Sequence, residues 1–249
     1  MGDSDRAVSD LVGFAGTFAV IVTAVLLIST AGVGALGELQ HKEQRNNAQQ
    51  AFEIAAQNFG AIENGNAPKR TSELDLHDGR LRVESNTRFD IHLSSGVDTS
   101  ITPQSLVFQQ GDTKIAYESG GIFRTDSNGG GIMEHAPGWV CTEDRAILSF
   151  VRLEAPTGHQ LGSGVVQVAA VRNETRLLYP LNRTGPDSAT DADAVSVTVA
   201  NSPFERSWRN HFTKSNQHWS VSGNTITCDV STDGAIYVRE TVVNVTLKR

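Results

Sequence analysis

The chain has little with which to do chemistry. Its 249 residues contain no HExxH metal pair, no GxSxG nucleophile turn, no GxxxxGK phosphate loop and no CxxC pair. Lysine is scarce, five residues against sixteen arginines, and the basic positions are scattered through a chain of net charge −7. Nucleic acid is therefore excluded as an expected partner, because such binding needs a basic stripe or patch. Cysteine is limited to Cys141 and Cys228, far apart and each beside strand-like residues. Two readings stay open: one disulfide in an oxidising compartment, stabilising by roughly 4 kcal/mol on the chain-entropy model, or two buried thiols.

The remaining candidates for chemistry are weak. Of seven histidines, His211 and His218 are the closest pair, but seven residues with an expected helix end between them is poor metal-ligand spacing. Asp187, Asp191 and Asp193 lack the distal Glu and fixed Gly of an EF-hand and read as a solvated acidic loop. Gly129, Gly130 and Gly131 follow a Ser-Asn pair and read as a loop between strands. The expectation is a non-enzyme with no cofactor and no metal.

What the chain does have is one long apolar run. From Leu11 to Gly37 there is no charged residue. A secretory signal has an apolar run of roughly 7 to 15 residues, whereas roughly 20 are needed to cross the hydrocarbon as a helix. A membrane-spanning helix is expected, with lipid as its partner. The small residues Ala31, Gly34 and Ala35 leave open a cleaved, secreted product. Charges do not set the orientation, since Arg6 is accompanied by Asp3, Asp5 and Asp10 on one side while Lys42 and Arg45 lie on the other.

Helix formers continue beyond the run. Ala48, Phe52, Ala55, Phe59 and Ile62 alternate at spacings of four and three, which makes one narrow apolar stripe. That stripe is expected to dock on the chain's own next domain, or else on a second copy. NGNAP at 64–68 then ends the helix. After it come short alternating runs such as RLRVES, RFDIHL, SLVFQQ, TKIAYES, AILSFVRLEA and AIYVRETVVNVTLKR, separated by Gly, Asn, Asp and Ser. They predict an antiparallel β sandwich or strongly curved sheet, so the fold class is α+β. One segment, SPFERSWRNHFTK, predicts a short helix, with Ser202 as N-cap, Pro203 first, Glu205 completing a capping box, and Phe204, Trp208 and Phe212 sharing a core-facing stripe. The polar stretch 183–194 reads as the least ordered loop. Three Asn-x-Thr sequons, at Asn173, Asn182 and Asn244, become candidate glycosylation sites if the domain is exported, with Asn244 the poorest because it falls in a strand.

The N-terminal RAVSDLVGF, the apolar run, the junction LGELQHKEQRNNAQQAFEIAAQNF, the following NAPKRTSELDLHDGRL and the block IAYESGGIFRT together resemble the haloarchaeal type IV pilin-like membrane proteins. The likeness is strongest over the first 82 residues. It implies a prepilin-type (class III) leader, residues 1–7, cut by a prepilin peptidase between Ala7 and Val8, with Arg6 the charged residue before the cut. It further implies a transmembrane helix over 8–37, a stem extension over 38–63 and a β-rich domain over 64–249 outside the cell, with adhesion or assembly with other pilin-like subunits as the role. Asp10 would then lie near the new amine of Val8 or that of a neighbouring subunit; equally, it reads as an interfacial residue favoured by the helix dipole. The fifth mature position is Val12 where bacterial pilins carry an acid, so the fit is to the archaeal pattern. The competing functional reading is an uncleaved single-pass anchor carrying a binding or sensory module.

Overall fold

The computed structural model describes residues 4–126, 131–156, 160–215 and 218–249. Helix α1 runs over Ser4–Glu63, and the described residues beyond it form strands joined by loops and turns, with one further helix among them, α2, over Glu205–Lys214. Two compact units separate at residue 46: the first is the N-terminal part of α1, and the second takes in residues 47–249, including the last turns of α1.

The first unit carries the apolar stretch Val12–Thr30, with a mean hydropathy of 2.3 and no part of it buried. It is long and apolar enough to cross a membrane. Its threonines do not leave hydroxyls idle: Thr17, Thr23 and Thr30 each donate to the carbonyl four residues back, which is how such side chains are carried on an apolar helix.

In the second unit three sheets surround two cores. Strands are numbered in chain order. One sheet has the order β1 (Lys69–Asp75), β12 (Val165–Tyr179), β16 (Ala235–Lys248), β10 (Arg145–Glu154) and β9 (Val140–Cys141). A second runs β11 (Gln160–Gly162), β2 (Arg80–Glu84), β5 (Ser105–Gln110), β6 (Thr113–Glu118), β7 (Gly121–Thr125) and β8 (Gly131–His135). The third runs β14 (Trp219–Ser222), β15 (Thr225–Asp229), β13 (Ala194–Ala200), β3 (Arg88–Leu93) and β4 (Asp98–Ile101). All pairings are antiparallel except β10 with β16, which is parallel in register Arg145↔Ala235 to Glu154↔Asn244. The expected antiparallel pattern is thus broken once among the described residues, at a pair of strands far apart in the chain and so free of the hairpin constraint.

Side-chain alternation along single strands feeds both cores. On β10, Ala146, Leu148 and Phe150 enter one core while Val151 and Leu153 enter the other. On β6, Ala116 goes to the first and Ile115 and Tyr117 to the second. The first core is aromatic: Trp139 stacks on both Trp208 and Phe212 with ring centroids 5.4 Å apart, and Phe89, Phe123, Phe150 and Phe204 pack around them. The disulfide Cys141–Cys228 ties β9 to β15 across it. The second core is mostly aliphatic and is closed by α1, whose Ala48, Phe52, Ala55, Phe59 and Ile62 are all buried, with Phe59 4.7 Å from Tyr117. The stripe therefore docks within its own chain. Gly65, at φ +77°, ends the helix: its N–H donates to Ile62 O and that of Asn66 to Ala61 O.

Helix α2 differs from its expected start. Its N-cap is Phe204, which makes no side-chain cap bond. The Ser202 hydroxyl accepts from Phe204 N and donates to Glu118, and Glu205 accepts from Asn224 Nδ2 rather than closing a capping box. Tertiary partners took both groups. The stripe Phe204, Trp208 and Phe212 is buried as its spacing requires.

Candidate functional site

Glu118 is the last residue of β6, and strand alternation turns it to the same side as Ala116, into the first core. It is fully buried. Four donors converge on it: Trp208 Nε1 at 2.8 Å and Ser202 Oγ at 2.8 Å on Oε1, Ser105 Oγ at 3.0 Å and the Thr87 hydroxyl on Oε2. None of these donors is charged. Burial raises the Glu118 pKa, and the four hydrogen bonds oppose that rise without cancelling it. The adjoining β6–β7 turn is a two-residue loop with Ser119 at φ 45° and Gly120 at φ 91°, the double positive-φ geometry of a type I′ hairpin. Ser119 Oγ accepts from Val151 N, which binds the turn to β10.

A second buried carboxylate lies on β16. Glu240, 1% exposed, accepts from Arg152 Nε on β10 at 2.7 Å and from Arg176 on β12, whose Nε is 3.0 Å away. Arg152 also pairs with Glu154, and Arg176 lies 3.5 Å from Glu174. Two arginines around one sealed carboxylate hold three neighbouring strands in register, the arrangement a buried charge requires. Beside it opens a polar cleft of about 440 Å³, walled by Thr87, Arg88, Gln104, Arg152, Glu154 and Asn201. The cleft offers hydrogen bonds and charges of both signs to a small polar molecule. The two carboxylates that would interest a chemist are shut away behind it.

A third polar junction joins α1 to the sheets. Burial raises the pKa of Glu63, offset by Ser149 and by Arg239, which lies 3.6 Å away and donates to Asn64 Oδ1 at 3.0 Å. Tyr117 is pushed well above its usual range, first by burial and then by the charge of Glu63.

The residues singled out in the sequence are distributed as follows. Arg6, Ala7, Val8 and Asp10 fall on the first turns of α1, and their side chains lie outside the described residues. Gly129 and Gly130 also lie outside them, while Gly131 opens β8. Asn173, Asn182 and Asn244 are all exposed, Asn244 included, because it sits on the outward side of β16. The 183–194 stretch is stitched by turns, with Asp187 O accepting from Leu181 N and Asn182 N and with Tyr179 OH donating to Ser188 O. His211 packs edge-on against Phe212. Among the described residues, no group of three or more His, Cys, Asp or Glu is arranged to hold a metal ion.

Over residues 6–247 the sequence matches the profile of a family of unknown function, DUF7289. The chain belongs to DUF7289. No curated protein and no solved structure matches it. Sequence reasoning missed Glu118 and Glu240. The one local signal for Glu118 was a charge at a core-facing step of TKIAYES, and its partners stand 13 to 90 residues away.

Proposed function

We propose that this DUF7289 chain is a non-enzymatic, membrane-anchored cell-surface protein of the type IV pilin-like class, acting in adhesion or assembly, with its β-rich domain outside the cell. One observation carries the reading: a single helix, α1, holds an apolar, wholly exposed stretch at Val12–Thr30 and ends in a stripe buried in the β-rich unit. A membrane stem continuous with the domain it presents is the design expected of a pilin-like subunit. The stem sequence resembles that class, and the leader cut falls between Ala7 and Val8. On this reading Asp10 meets the freed amine of Val8, prepilin peptidase and other pilin-like subunits are the partners, and exposed Asn173, Asn182 and Asn244 are available to glycosylation.

The test is the N-terminal residue and intact mass of the protein extracted from native membranes. A chain starting at Val8 supports prepilin processing, and added mass in hexose steps supports glycosylation. A chain starting at Met1 favours the second reading, an uncleaved anchor carrying a binding or sensory module, for which the cleft lined by Arg88, Arg152 and Glu154 is the supporting feature. A chain starting after Ala31 removes the membrane from both.

A further inference from the structure

Strand β12 is fifteen residues long, but its outer edge is only half covered. β1 pairs with it from Val165 to Val171, and the last backbone bond on that side is from Arg172 N to Pro68 O. Beyond this, β12 continues to pair with β16 on its inner edge as far as Tyr179, while no described residue pairs with the outer edge of 173–178. Seven consecutive residues, Val171 to Leu177, are exposed. In a strand, exposure without alternation means that both faces and one edge meet solvent. Free edges of this kind are templates for another strand, and proteins that keep them single use Pro, like charges or bulges there. Over 173–178 there is no Pro and no Lys, the charges are of opposite sign, and the register shifts fall only at the ends of the segment.

The exposed segment is self-complementary. Register shifts at Arg172/Glu174 and Leu177/Tyr179 bracket a regular stretch, Glu174–Leu177. Glu174 and Arg176 share a face, 3.5 Å apart and each about half exposed. Two identical chains pairing antiparallel about a two-fold axis normal to the sheet must place a residue opposite itself. Centred on Glu174, that puts carboxylate against carboxylate; centred on Arg176, guanidinium against guanidinium. Like charges directly opposite destabilise a pair. Centres further toward the N-terminus run into β1, and those further toward the C-terminus cross the shift before Tyr179. Centred on Thr175, each Glu174 opposes Arg176 of the second copy, and these pairs fall within the regular stretch.

We propose that the open edge of β12 around Thr175 pairs antiparallel with the same edge of a second copy, making one continuous sheet through two chains. The joint uses backbone bonds for affinity and two Glu174–Arg176 pairs for register, the usual division of labour in strand addition. It does not depend on leader processing or on how the N-terminal helix associates. A glycan on Asn173 would close the same edge, so modification and pairing are alternatives.

The test uses the full chain in detergent, made in a host that does not N-glycosylate. Both native cysteines are in the disulfide, so an introduced thiol reports alone. Thr175→Cys, Glu174→Cys and Leu177→Cys are oxidised at equal concentration and read on a non-reducing gel. Preferential dimer formation by Thr175→Cys is the expected result, because only that position faces itself. Adding Glu174→Arg to Thr175→Cys should cut cross-linking about tenfold, since two favourable cross-strand pairs become two repulsive ones. That substitution leaves Arg176 on Glu240, and an unchanged thermal melt verifies the fold. Equal cross-linking at all three positions, insensitivity to Glu174→Arg, or monomers throughout would overturn the proposal.

Discussion

The two cores of the β-rich unit are held by different means. The first takes nothing from α1: it holds eight aromatic side chains, a disulfide between β9 and β15, and a buried carboxylate satisfied by four neutral donors. The second has only four aromatics, no covalent link and a wall supplied by the last turns of α1. The first core is thus complete without the stem, and the second is not. The last turns of α1, from Ala48 to Ile62, are therefore part of the β-rich unit's own packing.

Perturbing each core separately tests this contrast. The largest effect should come from truncation. Removing residues 1–37 is expected to leave a soluble chain with a cooperative melt, because every buried residue of α1 is retained. Removing residues 1–63 uncovers the second core; dye binding and loss of the cooperative transition should follow, and an unchanged melt would show that α1 is dispensable. Reducing the disulfide, or replacing both cysteines by Ser, should destabilise by roughly 4 kcal/mol in urea titration, with the first core as its seat. Phe52→Ala should cost about 3 to 5 kcal/mol through the second core, and its sum with the disulfide loss should be additive if the two cores are independent.

Smallest, and most specific, is the pH response of Glu118. Its folded pKa is raised by burial, so it stabilises below the usual carboxylate value of 4.5 and loses that contribution as pH rises through its folded pKa. Glu118→Gln should therefore narrow the stability difference between pH 4 and pH 8, while Glu118→Ala, which orphans four donors, should destabilise at both by about 1 to 3 kcal/mol or more. Denaturant midpoints across that range decide it. A Glu118→Gln profile parallel to the native one would mean that other carboxylates dominate.

Much of the fold was legible because it is periodic. The apolar run, the stripe from Ala48 to Ile62, the aromatic face of α2 and the stronger strands are each local patterns of period 3.6 or 2 that burial imposes. Strands such as β1 were not legible: in KRTSELD only Ser72 and Leu74 are buried, since an edge strand has one neighbour and little core to face. The capping box at Ser202 was legible and misleading, because a local motif lost its hydroxyl to a carboxylate 84 residues away.

The candidate site was hardly legible at all. Glu118, Thr87, Ser105, Ser202 and Trp208 have no spacing that marks them, and neither do Glu240, Arg152 and Arg176. The first set meets only when two strands of one sheet, two loops and α2 come together, and the second only when β12, β16 and β10 pair in register. By itself the sequence determined both helices and the stronger strands, that one end of α1 is apolar enough for a membrane, and which faces of those elements are buried, because these follow from the side chains of neighbouring residues. Only the tertiary structure decided that Cys141 reaches Cys228, that β10 lies parallel to β16, which carboxylates are sealed, and that the edge of β12 stays open. Those are matters of register and closure between segments far apart in the chain, and no local pattern encodes them.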